Sequence, residues 1–302
     1  MKVDVIIPTY KPGDKFEKCL RMLRKQTLQP DRILVINTEE SLFHSREFSK
    51  LSQGEIIHIK KQEFDHGGTR NRAAALCDGD ILVLMTQDAI PAGEHMLERL
   101  VEPFADEAVC AAYGRQLADW KENPLEAYTR SFNYPGESRT KTKADLPVLG
   151  IKTFFCSNVC AAYRKTTYDD MGGFPLHTIF NEDMIFASRL IVADKKIAYV
   201  AEAKVWHWHN YSAGEQLKRN FDLAVSQTDW GGLLTSVKSE SEGVRLVVKT
   251  LLHFLGKGQV AMVPHIVIQN GAKYVGYKLG RNYKKLPHWL VKKLSFNPSY
   301  WE

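Results

Sequence analysis

Three groups of side chains in this sequence are of types that hold cations or move protons. Asp88 closes the stretch Asp80 to Pro91, DILVLMTQDAIP; Glu182 and Asp183 are adjacent in NEDM; His207 and His209 are two apart in VWHWHNYS. A carboxylate can hold a divalent cation against a diphosphate, and an imidazole can complete such a site. A second carboxylate within reach of a hydroxyl can take its proton. Each group also has a plainer reading. Asp88 would cap a helix opening near Pro91, and Glu182 and Asp183 would be first-turn acids of a helix, where acids are favoured. The histidines would be satisfied surface residues, since an isolated HxH is a modest signal. On a strand, HxH puts both rings on one face and Trp206 and Trp208 on the other. His66-Gly67-Gly68-Thr69-Arg70-Asn71 is a fourth candidate. Its glycines read either as a turn or as a close approach to phosphate at a helix N-terminus. The spacing is neither GxxxxGK[ST] nor GxGxxG.

The surrounding patterns say what must position these residues. Ile81 to Met85 is an unbroken apolar run and reads as a strand buried on both faces, stopped at Thr86-Gln87-Asp88. That places a carboxylate at the carboxyl end of a central strand, where open α/β sheets bind ligands. Val3 to Pro8 and Arg32 to Ile36 read as further strands, separated by a helix with Phe16, Leu20, Leu23 and Thr27 inward and ended by Pro30. The strand–helix–strand order predicts a right-handed crossover and a parallel pair. Ile56 to Lys60 is a short strand, Met96 to Phe104 a helix, and Ala108 to Tyr113 a strand. Residues 115–150 read as a long loop or lid, and Phe154 to Tyr163 as a strand. Thr166 to Asp170 is a short helix, Asn181 to Asp183 open another, and Ile197 to Val200 begin a strand.

With 302 residues, 44% of them hydrophobic and 25% charged, the composition is that of a globular protein with one large domain and an appendage. The expected division is 1–235 and 236–302. No secretory leader is recognised at the N-terminus. Cys19, Cys77, Cys110, Cys156 and Cys160 lie mostly in apolar contexts and read as reduced, buried thiols. The net charge of +6 is unevenly spread: from Gly243 to Trp301 there are ten basic side chains and no acidic one. Short apolar runs and aromatics interleave with them. These runs are too short to span a bilayer, which takes about 20 residues, but they suit helices lying on an anionic membrane surface. The competing reading is a helical hairpin packed on the main domain. No nucleic-acid motif is present, so nucleic acid is not the expected partner.

The order MKVDVIIPTYK, RILVIN, GGTRNRAAAL, CDGDILVLMTQDA, GGF, NEDM, VWHWHNYS resembles the inverting family 2 glycosyltransferases over residues 3–230. TQDA, FNEDM and HxHNYS look most like the bacterial rhamnosyltransferases of cell-wall and surface polysaccharides. The resemblance implies a GT-A fold, a Rossmann-like, mostly parallel α/β sheet flanked by helices with a C-terminal helical appendage. It implies a nucleotide-sugar donor, dTDP-L-rhamnose in first place and a UDP-sugar in second, and Mg²⁺ or Mn²⁺ as cofactor. Pro8, Thr9, Tyr10, Asn37, Thr38, Gly67, Gly68, Arg70, Asn71, Thr86, Gln87 and Asp88 would line the donor site. Asp88 is the retained acid of the family's D-x-D motif, whose first acid is here Thr86; Asn37-Thr38 stand where many relatives have an acid. His207 would complete the metal site with Asp88. Asp183 would be the catalytic base with Glu182 beside it, and Asn181, Trp208 and His209 would meet the acceptor. That acceptor would be a lipid-linked diphosphate saccharide, met on the cytoplasmic face of the membrane, and a β-linked rhamnosyl donor would give an α-rhamnoside. The alternative function is a non-catalytic nucleotide-sugar or polysaccharide binding module on the same fold.

Overall fold

The computed structural model describes residues 1–234 and 240–302; residues 236–239, with which the expected tail begins, lie outside the described residues. Among the described residues, nine strands form one mixed sheet: β1 (Val3–Tyr10), β2 (Arg32–Thr38), β3 (Gly54–Ile59), β4 (Ile81–Met85), β5 (Ile90–Pro91), β6 (Val109–Leu117), β7 (Arg139–Lys141), β8 (Cys160–Arg164) and β9 (Lys196–Trp206). Their order is β3-β2-β1-β4-β8-β6-β9-β5, with β7 also on β9. The run β3-β2-β1-β4 is parallel, as the strand–helix–strand pattern requires, and β6 and β9 are parallel to each other. Between them β8 runs antiparallel to both β4 and β6. Helices in chain order are α1 (Asp14–Leu23), α2 (His66–Ala74), α3 (Met96–Val101), α4 (Pro124–Asn133), α5 (Leu146–Leu149), α6 (Lys165–Asp170), α7 (Glu182–Val192), α8 (Ala213–Asp229), α9 (Gly231–Leu234), α10 (Glu240–Gly256), α11 (Val263–Arg281) and α12 (His288–Leu294).

The chain divides into two compact units. The first takes 1–118, 133–177 and 182–208; the second takes 119–132, 178–181 and the chain from 209 onward. The expected boundary at 235/236 lies within the second unit, because α8 packs on the helices that follow it. In the first unit every residue of Ile81–Met85 is buried, and Val3, Val5 and Ile7 of β1 share a core with Phe16, Leu20 and Leu23 of α1. All five cysteines are free and buried. Residues 115–150 are not a structureless lid. β6 continues to Leu117, and α4, β7 and α5 follow. The apolar run Phe154–Tyr163 is likewise strand only from Cys160; Gly150–Phe154 is a 3₁₀ turn.

In the second unit, a carbonyl pairing and two close approaches give the register of α8 and α11. Gln269 Nε2 donates to Tyr211 O at 3.2 Å, Gly276 lies against Leu217, and Gly280 against Phe221. The paired numbers rise together, so α8 and α11 are parallel and the chain between them makes the return. A Cβ on Gly276 would stand 2.1 Å from Leu217 O, whereas one on Gly271 meets nothing within 4 Å. Two substitutions in one helix therefore have opposite signs. Gly271→Ala should raise unfolding stability by about 0.5–1 kcal/mol through helix propensity. Gly276→Ala should lower it by about 1–3 kcal/mol through overpacking. Equal shifts in denaturant midpoint for the two variants would contradict the register.

Candidate active site

Within the first unit the chain order changes direction between β1 and β4: β2 and β3 lie on one side of β1, β4 and the later strands on the other. The carboxyl ends of β1 and β4 flank such a switch point, where open α/β sheets bind ligands. Gln87 closes the gap between them, accepting from Tyr10 N at 2.9 Å and donating to Tyr10 O at 3.1 Å. Pro8 pairs with Ile36 in the β1–β2 ladder. Beside it Thr9 donates to Asn37 Oδ1 at 3.1 Å, and Asn37 Nδ2 is held by Glu39 O at 3.0 Å and faces His58 Nδ1 at 3.1 Å. Asn37 and Thr38 are buried, while the Tyr10 ring is exposed. Thr86 Oγ1 is buried and has no hydrogen-bond partner among the described residues.

Asp88 does not cap a helix, since α3 begins only at Met96. Ile90 and Pro91 instead pair with Trp206 and Val205, which lays the Asp88 loop against the end of β9. Asp88 Oδ1 stands 3.5 Å from His207 Nε2. Because β9 ends at Trp206, His207 and His209 do not lie on a strand, and the expected alternation of faces does not apply. Asp88, His207 and His209 each offer a ligand atom, all within 4.8 Å of one another. His207 is buried, and its Nδ1 meets Gln116 Oε1 at 3.0 Å. The Gln116 amide nitrogen donates to Tyr134 OH and, at 3.0 Å, to Ser157 Oγ, leaving its carbonyl oxygen for His207. With Nδ1 donating to Gln116, Nε2 is the ring nitrogen turned toward the Asp88 carboxylate, and in the neutral ring it offers a lone pair there. A proton on Nε2 would make the two an ion pair; with the ring neutral, one carboxylate and two imidazoles form a donor set that suits a divalent ion with oxygen and nitrogen ligands. Trp208 is fixed separately: its carbonyl accepts from Lys15 Nζ at 3.1 Å, and the same ammonium lies 4.7 Å from the centre of its ring.

The two acids at the start of α7 have different environments. Glu182 is buried, 3.3 Å from Arg70 Nη1, and accepts from Asn158 Nδ2 at 3.0 Å. Burial works to raise its pKa, but the charges of Arg70 and His66 and the Asn158 bond outweigh it and hold Glu182 below the usual carboxylate range. Asp183 is partly exposed. Its oxygens accept from Asn158 N at 2.9 Å and from its neighbour Met184 N at 2.7 Å. Desolvation, then the Glu182 charge beside it, raise its pKa well above the usual carboxylate range. Glu182 is thus neutralised and enclosed, while Asp183 is reachable and more basic than an ordinary aspartate.

HGGT is neither a turn nor an open phosphate loop. It is the first turn of α2, capped by Asp65, whose side chain accepts from Gly68 N at 2.6 Å. Gly67 is required because a Cβ there would lie 1.9 Å from Pro175 O. Arg70 and Asn71, expected at the donor, are engaged with protein partners. Arg70 Nη1 serves Glu182 and donates to His66 O at 2.8 Å. Asn71 donates to Phe174 O at 2.9 Å and accepts from Phe174 N at 2.9 Å and from Tyr168 OH. Asn181 belongs to the second unit, where Nδ2 donates to Leu223 O at 3.4 Å. Gln116, Ser157 and Asn158 belong to no motif in the sequence, and His209, expected at the acceptor, offers a ligand atom beside those of Asp88 and His207.

The model of one family, described as glycosyl transferase family 2, matches residues 4–172. The O-antigen chain rhamnosyltransferase RfbN of Salmonella typhimurium is 40% identical over 312 residues, covering 100% of this chain and 96% of that protein. The O-antigen chain rhamnosyltransferase WbaN of Salmonella anatum is 40% identical over 306 residues, covering 98% and 95%. Among solved structures, the mannosyltransferase PcManGT of Pyrobaculum calidifontis, in complex with GDP-Man and Mn²⁺, matches with a TM-score of 0.56 at 14% identity, over 99% of this chain and 84% of that one. TarS residues 1–349 of S. aureus with UDP-GlcNAc matches at 0.53 and 14%, over 94% and 92%. These two share the GT-A fold with this chain.

The charge arrangement gives a pH test. An acting base must be ionised, so the acid limb of kcat/KM for glycosyl transfer should lie above the usual carboxylate range. Glu182→Gln removes the repulsion and leaves Arg70 to favour the Asp183 carboxylate, so the limb should move to lower pH. A limb that stays in place would remove Asp183 from the proton transfer.

Proposed function

The chain belongs to glycosyl transferase family 2, and from that premise we propose that it moves L-rhamnose from dTDP-L-rhamnose to a lipid-linked saccharide with inversion. It is a glycosyltransferase of surface polysaccharide synthesis. The observation that carries the mechanism is the half-exposed, raised Asp183 beside a neutralised Glu182. In the proposed step the acceptor oxygen bonds to the anomeric carbon as the bond to the diphosphate breaks on the opposite face. The hydroxyl proton passes to Asp183, whose orientation is fixed by the amides of Asn158 and Met184. One displacement and one base give inversion.

Asp88, His207 and His209 are the proposed ligands of Mg²⁺ or Mn²⁺. Such an ion, when bound, neutralises the charge that develops on the departing diphosphate. Gln116 keeps the His207 proton on Nδ1 and so keeps Nε2 available as a ligand. Pro8, Thr9, Tyr10, Asn37 and Thr38 are proposed around the base, and Thr86 and Gln87 beside the diphosphate; the unpartnered hydroxyl of Thr86 supports that placing. Trp208 is proposed to meet the acceptor.

Asp183→Asn should lower kcat by about 10²–10⁴, the range of general base catalysis, with donor affinity nearly unchanged. Asp88→Ala should abolish the cation-dependent part of dTDP affinity. Gln116→Leu should weaken Mn²⁺ binding about 10–100-fold, as loss of a ligand's outer partner does, read by titrating Mn²⁺ without substrate. Near-normal turnover of Asp183→Asn would move the base elsewhere.

The chain is further proposed to work against the cytoplasmic face of a membrane. Among the described residues, no helix is long and apolar enough to cross a membrane. α10 exposes Val244, Val248, Leu252 and Leu255 at helical spacing, and α11 exposes Val267 and Ile268. Basic side chains near an anionic surface contribute about 1 kcal/mol each. The protein should co-sediment with anionic liposomes at low salt, and Leu252→Glu with Leu255→Glu should release it. Equal sedimentation of variant and parent would dismiss this face.

A further inference from the structure

The strand β7 is three residues long, yet it carries a cation into the first unit. Pairing with β9 sets Lys141 opposite Ile197, where it is 3% exposed. Its ammonium donates to Lys152 O at 3.1 Å and to Phe155 O, and it faces the Tyr113 ring, 4.7 Å from the centre. Among the described residues no carboxylate pairs with it; Asp145 is paired with Arg139 instead. Burial is the main force lowering the pKa of Lys141; Cys156 and Asp145 oppose it, and Arg139 adds to it. An enclosed cation without a counter-charge is costly. An apolar side chain would fill the same space without that cost, so what the ammonium contributes is its hold on two carbonyls.

Those carbonyls open the stretch that leads to β8. Residues 155–159 form neither helix nor strand, and among the described residues Phe155 O receives no other hydrogen bond. The Phe155 ring packs edge-on against Tyr113 and Tyr134, 5.5 and 5.7 Å between centres. Two residues on, Ser157 Oγ accepts from Gln116 Nε2, and the Gln116 carbonyl oxygen meets His207 Nδ1. Tyr134 OH accepts from the same Gln116 amide. Next to Ser157, Asn158 donates its backbone amide to Asp183 and its side-chain amide to Glu182. The partner of the imidazole and the partner of both acids are thus adjacent residues on one irregular stretch. Lys141 fixes that stretch two residues before them. We propose that Lys141 is a positioning residue for glycosyl transfer, which by gripping the carbonyls of residues 152 and 155 sets Ser157 and Asn158, and through them His207 and Asp183. The inference rests on the reading of His207 as a cation ligand and of Asp183 as the base.

The test uses the full chain and two variants. Lys141→Met keeps the length of the side chain and removes its donors. Lys143→Met removes a charge two residues on, from an exposed lysine that lies 3.6 Å from Asp194. Titrated with Mn²⁺ without substrate, Lys141→Met should bind about tenfold more weakly, as when a ligand's outer partner is lost. Desolvation and the Glu182 charge raise the Asp183 pKa, whereas the Asn158 and Met184 amides and Arg70 lower it. Loosening the Asn158 bond therefore raises it further. At saturating Mn²⁺ the acid limb of kcat/KM should move to higher pH in Lys141→Met, the reverse of Glu182→Gln. Lys143→Met should match the parent in both. A role confined to stability would lower the melting temperature and leave both readouts at parental values, and that result would overturn the proposal. Equal changes in Lys143→Met would trace the effect to net charge and overturn it as well. Should Lys141→Met not fold, the parent decides, because coupling between two sites acts in both directions. Mn²⁺ should slow hydrogen exchange in peptides covering 155–158, and unchanged exchange there while Mn²⁺ binds would overturn the proposal. A parent that binds no Mn²⁺ would unseat the reading of the cation site and leave the acid limb to decide on Lys141.

Discussion

Two adjacent carboxylates at the start of a helix cannot both be buried and ionised without a counter-charge, and Arg70 supplies it to Glu182. Removing one partner of such a pair costs about 3–5 kcal/mol, so the rest of the unit is arranged to keep it. For Arg70 to arrive, α2 must press against the chain at Phe174 and Pro175, which is why residue 67 has no side chain. Gly173 adopts φ +67, and a Cβ there would meet Asn71 Oδ1 at 2.6 Å. HGGTRN, GGF and NED, which look like separate motifs, are three faces of one packing solution. The glycines serve the ion pair, and the ion pair leaves Asp183 as the acid able to accept a proton.

Ser157 and Asn158 join the halves of the candidate site. Ser157 accepts from Gln116, which orients His207, while Asn158 donates to both acids and accepts from Tyr163 OH at 2.8 Å. Just before them, the buried ammonium of Lys141 donates to the carbonyls of Lys152 and Phe155. Burial pushes Lys141 down to about 7, so its charge is itself held at some cost. A displacement of this short segment would reach the cation ligands and the base together.

The sequence made the parallel half of the sheet readable, because Val3–Pro8, Arg32–Ile36 and Ile81–Met85 are apolar throughout and separated by helical spacing. It also showed Asp88 at a strand end. It did not show β7 or α5, whose three and four residues are too few to carry a pattern of their own. The pairing of Ile90–Pro91 with β9 was hidden for the same reason, and with it the meeting of Asp88 and His207. At position 67 the missing side chain admits a carbonyl of the protein, a role that the sequence pattern does not show. Gln116 and Asn158 act through tertiary hydrogen bonds, which leave no periodicity to read.

The parallel packing of α8 and α11 also bears on how the protein is made. Residues 211–221 are matched with 269–280, and Asp222 with the amides at 296 and 297, so partners are separated by some sixty to seventy-five positions. α4, encoded between two strands of the sheet, belongs to that same late assembly. On the ribosome, the first unit has its last strand once residue 206 is out. The apolar faces of α4 and α8 must then wait for α11, exposed to chaperones or to other nascent chains. The second unit therefore cannot close its packing until the chain as far as residue 297 has been made.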